Sequence, residues 1–400
     1  MLGIVYLFGL FVPLMDNDAA HHATIALQMH LSGDYVSLVD YGEAYLDKPH
    51  LHFWLCAFSY KIFGVTGFAY KFPSLLFTLL GTWSVYRLGR LLYNAETGKL
   101  AALIAASAFA YILANSDVRM DAILTASVAF ASWQLVAFIH DKKMINLAGA
   151  ALGLALGFST KGHIAVFVPA AGAFFYILYR KEWKLFLNPK WLLLLLLFGL
   201  LISPVVYCYY LQYNLHPETT VRGKDQINGV KFILLDHSLE RFRGERSFVR
   251  KNDRFFFIHS FLWAFAPWGV PGFIAVIRRL GSFFRRKEEW LSTGTFIVTL
   301  LVVSFSGFKL PHYVNIVFPS AAVMTAAFLL SKKQDPGWSK AIYLLQLIVC
   351  ILMLLFIAGL SAWAFPVKEW WIIPLTILFL SVFFYFLRNR ALSRLQKAVC

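Results

Sequence analysis

The sequence contains little charge for its length. Charged residues make up 14% of its 400 positions, whereas hydrophobic residues make up 59%, and the mean hydropathy is +0.64. Soluble globular domains usually carry about 25% charged residues. Apolar runs of roughly the 20 residues that a helix needs to cross a bilayer recur along the chain. The composition therefore excludes an ordinary soluble domain and predicts a multi-spanning integral membrane protein.

Cysteine is also scarce, and no internal repeat is visible. The four cysteines are Cys56, Cys208, Cys350 and Cys400, and none of them forms a CxxC pair. We interpret them as reduced structural residues and do not expect a disulfide framework. A cleavable leader with a charged n-region is missing, so the apolar stretch Met1 to Met15 is interpreted as an uncleaved signal anchor.

The formal net charge is +16, with 37 basic and 21 acidic residues. The basic residues are scattered over many loops and form no single stripe, which argues against a nucleic-acid partner. Two explanations remain open at this point. The charge either sets the topology of the membrane protein or attracts an anionic ligand.

The apolar runs predict an all-α protein with about twelve spans. They lie at about 1–15, 67–87, 100–115, 121–139, 147–159, 162–179, 191–212, 256–277, 291–307, 312–330, 340–364 and 370–387. More than half of the basic residues fall in alternate loops between these spans. The positive-inside rule makes those loops and both termini cytoplasmic.

Titratable residues concentrate on the opposite, outer face. Most acidic residues and ten of the eleven histidines lie there, and the long outer loops are residues 16–66 and 213–255. The first loop contains amphipathic stretches such as Ala20 to Leu31, which predict helices lying at the membrane surface. We therefore expect a functional site on the outer face.

The first outer loop offers two candidate groups. Asp18 follows the first apolar run, where a carboxylate is either a general base or metal ligand, or the cap of a helix starting at Ala19. Asp47 and Lys48 are adjacent, and the Lys48 ammonium group either binds a phosphate or pairs with Asp47. Five histidines of this loop match no zinc spacing, and we expect them to be solvated: His21, His22, His30, His50 and His52.

Five motifs on the predicted outer face occur in an order that resembles a known family. They are Asp18-x-x-His21-His22 with Tyr45-Leu46-Asp47-Lys48-Pro49, Asp117-x-Arg119-x-Asp121, Ser159-Thr160-Lys161-Gly162, Asp236-His237-x-x-x-Arg241-Phe242 and Lys309-Leu310-Pro311-His312-Tyr313. Together, over roughly residues 1–330, they resemble the polyprenol-phosphate-dependent membrane glycosyltransferases. This family includes the protein O-mannosyltransferases and the aminoarabinose transferase that modifies lipid A.

The resemblance implies a GT-C-type bundle in the bacterial inner membrane, with a periplasmic active site. Its members move a sugar from a polyprenyl-phosphate donor to a glycolipid, glycan or protein acceptor. We expect residues 1–330 to form the catalytic module and residues 331–400 to add C-terminal transmembrane helices. A transporter or flippase of lipid-linked sugars is the alternative, although no repeat supports it.

The resemblance also assigns candidate roles. It makes Asp18 and Asp121 the catalytic candidates, and a set of cations would offset the donor phosphate: Lys48, Lys161, Arg119, Arg241 and Lys309. Further candidates for the site are His21, Tyr45, His312 and Tyr313. No cofactor is firmly predicted. Asp47 and His237 match positions linked to a divalent metal in the aminoarabinose transferase, but two ligands fall short of a zinc site. The Arg of the usual Asp-Glu-x-Arg-Tyr motif is missing, and His21 is its candidate substitute.

Overall fold

The structure is a computed structural model that describes residues 2–221, 223–237, 239–240, 253, 255–282, 285, 288–307, 309–364 and 372–388. A helix lies within each of the twelve predicted spans, which supports the all-α membrane fold, and the number of crossings stays a prediction. The α-helices are α1 Leu2–Gly9, α2 Asn17–Ser32, α3 Leu51–Phe63, α4 Gly67–Leu92, α5 Ala95–Ser107, α6 Phe109–Ser116, α7 Asp121–Asp141, α8 Met144–Lys161, α9 Ile164–Arg180, α10 Lys190–Tyr209, α11 Gly229–Lys231, α12 Phe256–Ala264, α13 Gly269–Ser282, α14 Trp290–Phe305, α15 Phe318–Ser331, α16 Pro336–Gly359 and α17 Ile372–Arg388. Short 3₁₀ segments cover Trp183–Leu187 and Pro311–Val317, and π-helical turns cover Tyr210–Asn214, Phe232–Asp236 and Leu360–Ala364.

Helix α7 is the centre of the bundle. It is buried on nearly all sides and packs against α4, α8 and α9. The close approach of α8 to α7 depends on glycine, because a Cβ on Gly153 of α8 would lie 2.8 Å from the main-chain nitrogen of Ala131 in α7. The helix runs from Asp121 to Asp141, about 30 Å at 1.5 Å per residue. We call the end of the bundle at Asp121 the site end and the end at Asp141 the distal end.

Several helical segments have the length and apolarity of membrane spans. Among the described residues there are four, or five if the bent pair α5–α6 is one span: Asp121–Asp141, Lys190–Asn214, Pro311–Ser331 and Pro336–Trp363. The α10 surface exposes a row of leucines, including Leu192, Leu196 and Leu200. Such a surface is compatible with lipid and incompatible with water over that length.

The predicted first span differs from the structure because α1 ends at Gly9, well short of residue 15. Pro13 follows closely, and the fully buried Lys71 of α4 donates from its ammonium group to the carbonyl oxygens of Gly9 and Val12. The span at 100–115 bends by 54° between α5 and α6. Likewise, the span at 256–277 is divided between α12 and α13 around Pro267.

The first outer loop is folded onto the bundle. It contains α2, a two-stranded antiparallel hairpin with β1 at Val39–Asp40 and β2 at Glu43–Ala44, and α3. The prediction of an amphipathic helix over 20–31 is confirmed by α2. The prediction that the loop histidines are solvated is wrong for three of them: His22, His50 and His52. His22 and His52 are buried because α2 and α3 pack their inner faces together with α4, whereas His50 is covered by Trp54 and by Tyr209 of α10.

Candidate functional site

A chain of charged side chains lies at the site end of α7. The Lys161 ammonium group donates to Asp121 Oδ1 at 2.7 Å, and both side chains are less than a tenth exposed. His312 Nε2 lies 3.9 Å from Asp121 Oδ2. Arg119 contacts His312 Nδ1 through Nη1 at 2.7 Å and donates through Nη2 to Asp16 Oδ2 at 3.1 Å. Three motifs that are far apart in sequence, together with Asp16, thus meet at one place.

Helix geometry explains the central pair. Asp121 is the first residue of α7 and Lys161 is the last residue of α8, and the two helices are joined by a short turn at the distal end. Two antiparallel neighbours therefore bring the start of one and the end of the other to the same level. Residues 159–161 of the third motif form the last turn of α8, so Lys161 is held by a helix and not by a loop.

Asp16, which is not among the residues predicted from the sequence, caps the N-terminus of α2. Its carboxylate accepts the Asp18 N–H at 2.8 Å as the N-cap of α2 and also accepts from Arg119. The alternative that Asp18 is the cap is therefore wrong, and Asp18 is an exposed first-turn residue. Asp117 Oδ1 in turn accepts the N–H groups of Met15 and Asp16. The preference of aspartate for the position before a helix is the signal that could have identified Asp16.

His21 and Tyr45, two further site candidates of the first outer loop, lie in contact. His21 Nε2 lies 2.6 Å from Asp40 Oδ2, so this side chain is engaged by the hairpin. Its ring contacts the buried Tyr45 edge-on, with 5.3 Å between centroids. The Tyr45 hydroxyl lies 3.5 Å from His22 Nε2. His21 therefore holds β1 against α2, and the structure gives it no contact with Arg119 or Lys161.

Lys48 lies within electrostatic reach of the cluster, and its positive charge acts on His312 and on His22. Its main-chain carbonyl accepts from the Tyr209 hydroxyl at 3.3 Å. The neighbouring Asp47 meets His237, but through the main chain: His237 Nε2 lies 3.0 Å from the Asp47 carbonyl oxygen. Among the described residues no group of three or more His, Cys, Asp or Glu side chains is arranged to hold a metal. These residues do not fit the implied metal.

The motif from Lys309 to Tyr313 has residues in two different environments. The Tyr313 ring lies under the Lys161 ammonium group, 4.9 Å from it. The Lys309 ammonium group instead donates to the main-chain carbonyl of Asp253 at 2.8 Å, so it holds the second loop against the bundle. Arg241 lies outside the described residues.

Two cavities meet at Asp121 and His312, which line both. The first, of about 330 Å³, is mainly apolar apart from its charged end. Its principal walls are Leu124, Ile164, Phe167, Val302, Val303, Tyr313 and Ile316, and Lys161 lies at the charged end. The second, of about 450 Å³, has many polar groups in its wall: Asp16, Asn17, Asp18, Asp117, Arg119 and Asn315. The charged cluster therefore lies between an apolar cavity and one whose lining is more polar.

Comparisons with known proteins identify relatives of this chain. The family model described as dolichyl-phosphate-mannose-protein mannosyltransferase matches residues 47–208. An undecaprenyl phosphate-alpha-4-amino-4-deoxy-L-arabinose arabinosyl transferase of Proteus mirabilis is 28% identical over 78% of this chain and 54% of its own length. An uncharacterized protein of Aquifex aeolicus is 25% identical over 93% of this chain and 70% of its own length.

Solved structures share the fold. The crystal structure of ArnT from Cupriavidus metallidurans bound to undecaprenyl phosphate has a TM-score of 0.73 and 19% identity, covering 87% of this chain and 62% of that one. The archaeal oligosaccharyltransferase AglB from Archaeoglobus fulgidus has a TM-score of 0.52 at 12% identity, covering all of this chain and 55% of that one.

The chain spans 53% and 54% of the length of the arabinosyl transferases of Pseudomonas fluorescens and Proteus mirabilis, and 71% of the length of that of Pseudomonas aeruginosa. The comparisons favour the enzyme over the transporter, and they support the prediction of a polyprenyl-phosphate-sugar-dependent glycosyltransferase. The resemblance predicted from the five motifs is confirmed, and this chain is similar over most of its length to the polyprenol-phosphate-dependent membrane glycosyltransferases.

Proposed function

We propose that this protein transfers a sugar from a polyprenyl-phosphate donor to an acceptor hydroxyl at the site end of the bundle. The observation that carries the proposal is the apolar first cavity that ends at Lys161, Asp121 and His312. An apolar groove closed by a buried cation matches a ligand that has a hydrocarbon tail and an anionic head.

The donor head would lie at Lys161. An ammonium group has three donors, and Asp121 takes one of them at 2.7 Å, which leaves capacity for phosphate oxygens. Arg119 and Lys48 add positive charge around His312. Stabilisation of charge that develops on a leaving group is strongest in a site that excludes water. These cations would therefore favour departure of the polyprenyl phosphate as a dianion.

The acceptor would lie in the second cavity, whose polar lining consists mainly of hydrogen-bond acceptors. Asp16, Asp18 and Asp117 contribute carboxylates. Arg119 is the only lysine or arginine among the described lining residues, and it already contacts Asp16 and His312. Asn315, 1% exposed, donates from Nδ2 to the Ala110 carbonyl, and its Oδ1 is buried without a hydrogen-bond partner. Such a lining suits a substrate that donates hydrogen bonds, and a hydroxyl does so whereas a phosphate dianion repels the carboxylates.

The transfer step follows from this placement. The Asp18 carboxylate accepts the proton of the acceptor hydroxyl while the hydroxyl oxygen bonds to the anomeric carbon. The bond between that carbon and the phosphate oxygen breaks, and its electron pair stays on the phosphate. Attack from the face opposite the leaving group inverts the anomeric centre. Asp121 orients Lys161 and is the second catalytic candidate, since it borders both cavities.

The membrane placement is part of the proposal. We place the site end at the periplasmic face and both termini in the cytoplasm of a bacterial inner membrane, because basic residues accumulate in the loops of the distal end. Residues 1–330 would form the catalytic module, since all described site residues lie within them.

Transfer of radiolabelled sugar from a polyprenyl-phosphate donor pool to membrane acceptors tests the proposal. Asp18→Asn removes the proposed base and is expected to lower transfer by about 10²–10⁴-fold at equal expression. Glu218→Gln is the matched control, because this exposed carboxylate lies in the second outer loop, where it contacts only His216 in the described structure.

Equal transfer by wild type and Asp18→Asn would contradict the role of Asp18. A wild-type protein that transfers nothing, but moves lipid-linked sugar between leaflets, would contradict the whole proposal. The position of the label also matters, since label recovered on a phosphate oxygen of the acceptor would contradict the hydroxyl class.

A further inference from the structure

A basic groove lies at the distal end, about 30 Å along α7 from the site. Its volume is about 630 Å³, and it is formed by the last turns of α4 and α7 and the first turn of α8. The cationic lining residues are Arg87, Arg90 and Lys143, with His140 beside them. The proposed glycosyl transfer uses none of these residues.

The guanidinium groups of the groove are held by aromatic side chains. The Arg87 guanidinium lies 4.6 Å from the centroid of the Trp133 ring and 5.7 Å from that of Trp83. Arg90 Nη1 lies 3.4 Å from the Tyr86 hydroxyl. Stacking fixes the plane of a guanidinium while leaving its N–H edges available for an anion.

The acidic lining residue does not neutralise these arginines. Asp141 accepts the main-chain N–H of Lys143 and the Asn146 side-chain amide, and it pairs with the Lys143 ammonium group at 3.7 Å. Within the described ranges, no carboxylate lies in ion-pair distance of Arg87 or Arg90. The groove therefore keeps two uncompensated positive charges.

One face of α4 connects the groove to the lipid-facing surface. Leu76, Leu79 and Trp83 are each at least half exposed, and they lie on the same helix face as Arg87 and Arg90 because the spacing is three or four residues throughout. An apolar track thus ends at two guanidinium groups. This sequence of apolar, aromatic and basic side chains matches the profile of a phospholipid from tail to head.

We propose that the groove binds one anionic phospholipid of the membrane, with its phosphate at Arg87 and Arg90 and an acyl chain along Leu79 and Leu76. Topology alone requires positive charge at this end but requires neither a groove nor an apolar track leading into it. The continuity with the lipid-facing surface favours a membrane lipid over a free phosphate ion.

Lipid binding to the purified full chain in detergent tests the inference, with phosphatidylglycerol and phosphatidylcholine as the probes and native mass spectrometry as the readout. Phosphatidylglycerol should bind at least tenfold more tightly than phosphatidylcholine. Arg87→Gln/Arg90→Gln should lose this tenfold preference. The matched control, Lys99→Gln/Lys340→Gln, removes two exposed charges at the same end outside the groove and should keep it.

Two further arms make the result unambiguous. Arg90→Gln alone changes an exposed side chain, so it should weaken binding severalfold even if the double variant unfolds. Inorganic phosphate alone, at millimolar concentration, should not displace the lipid, and displacement by it would overturn the lipid assignment. No preference for phosphatidylglycerol in the wild type, or an equal loss in the control variant, would overturn the inference.

Discussion

The two ends of the bundle each bury a cluster of charges, but the clusters differ in what surrounds them. At the distal end, Arg279 pairs with Glu288 and Glu289, each at 2.8 Å, and its guanidinium group also donates to the Tyr93 hydroxyl. Arg279 and Glu289 are almost fully buried, and protein groups surround them. At the site end, the side chains of Asp121 and Lys161 are also less than a tenth exposed, yet Asp121 borders both cavities and Lys161 borders the first.

This difference separates a structural ion pair from a candidate catalytic one. A charge whose partners are all protein groups holds helices together, and here it joins the end of α4 to α13 and α14. A charge that is only partly satisfied by protein and faces a cavity is available to a ligand. Burial alone therefore does not identify a site, whereas burial beside an open compartment does.

The largest expected effect is on stability at the distal end. Arg279→Met leaves Glu289 buried without its cation and should cost about 3–5 kcal/mol of unfolding free energy. Transfer activity per folded molecule should stay unchanged. Arg279→Met/Glu289→Gln removes both charges and should regain most of the loss. Thermal unfolding in detergent measures both, and a loss of activity per folded molecule would contradict the structural role.

At the site end we expect the loss of transfer to persist even when stability is restored. Lys161→Met should lower transfer by about 10²–10³-fold, the range for losing one preorganised donor to developing charge. The double variant Asp121→Asn/Lys161→Met removes the charges of the pair and should restore stability without restoring transfer. Transfer rates and unfolding temperatures measured side by side check this. If the double variant recovered transfer, the pair would be structural, like Arg279 and Glu289.

A third prediction concerns the first outer loop in acid. Burial lowers the pKa of His50 to about 4 and that of His52 to about 3, against 6.5 when unfolded. The unfolded chain therefore takes up protons at these histidines at a higher pH than the folded chain does. The free energy of unfolding is highest above pH 6.5 and falls as the pH drops towards 4. Each histidine should cost up to about 2 kcal/mol by pH 5.

The variant His52→Phe removes one of these titrating groups and should flatten the pH dependence, while Tyr70 keeps its hydrogen bond to the Val118 carbonyl. Unfolding temperatures between pH 7.5 and 5 provide the measurement. A slope identical to that of the wild type would show that His52 does not stay neutral in the folded loop.

The smallest expected effect is at Asp16. Asp16→Ala removes the cap of α2 and the Arg119 contact and should cost about 0.5–2 kcal/mol. Asp16→Asn keeps a good cap and loses only the half-exposed ion pair, so its stability should fall by less than about 1 kcal/mol. Chemical unfolding of the two variants distinguishes them. Equal losses would mean that the ion pair, and not the cap, holds α2.

The sequence predicted the fold class and much of the site because both depend on local patterns. Apolar runs located a helix in each predicted span, and antiparallel connection then places Asp121 and Lys161 at one end. The burial of His50 and His52 was missed, because it depends on how the first outer loop packs onto α10 and α4. The Arg279 cluster was missed for the same reason, since its partners come from different helices.

Binding of undecaprenyl phosphate to the purified protein tests directly whether the donor phosphate lies at Lys161. We expect the wild type to bind it and Lys161→Met to bind at least tenfold more weakly, about 1.4 kcal/mol. Lys99→Met, which changes an exposed lysine near the distal end, should bind like the wild type. Equal affinity of Lys161→Met and wild type would contradict the claim that the donor phosphate lies at the junction of the two cavities.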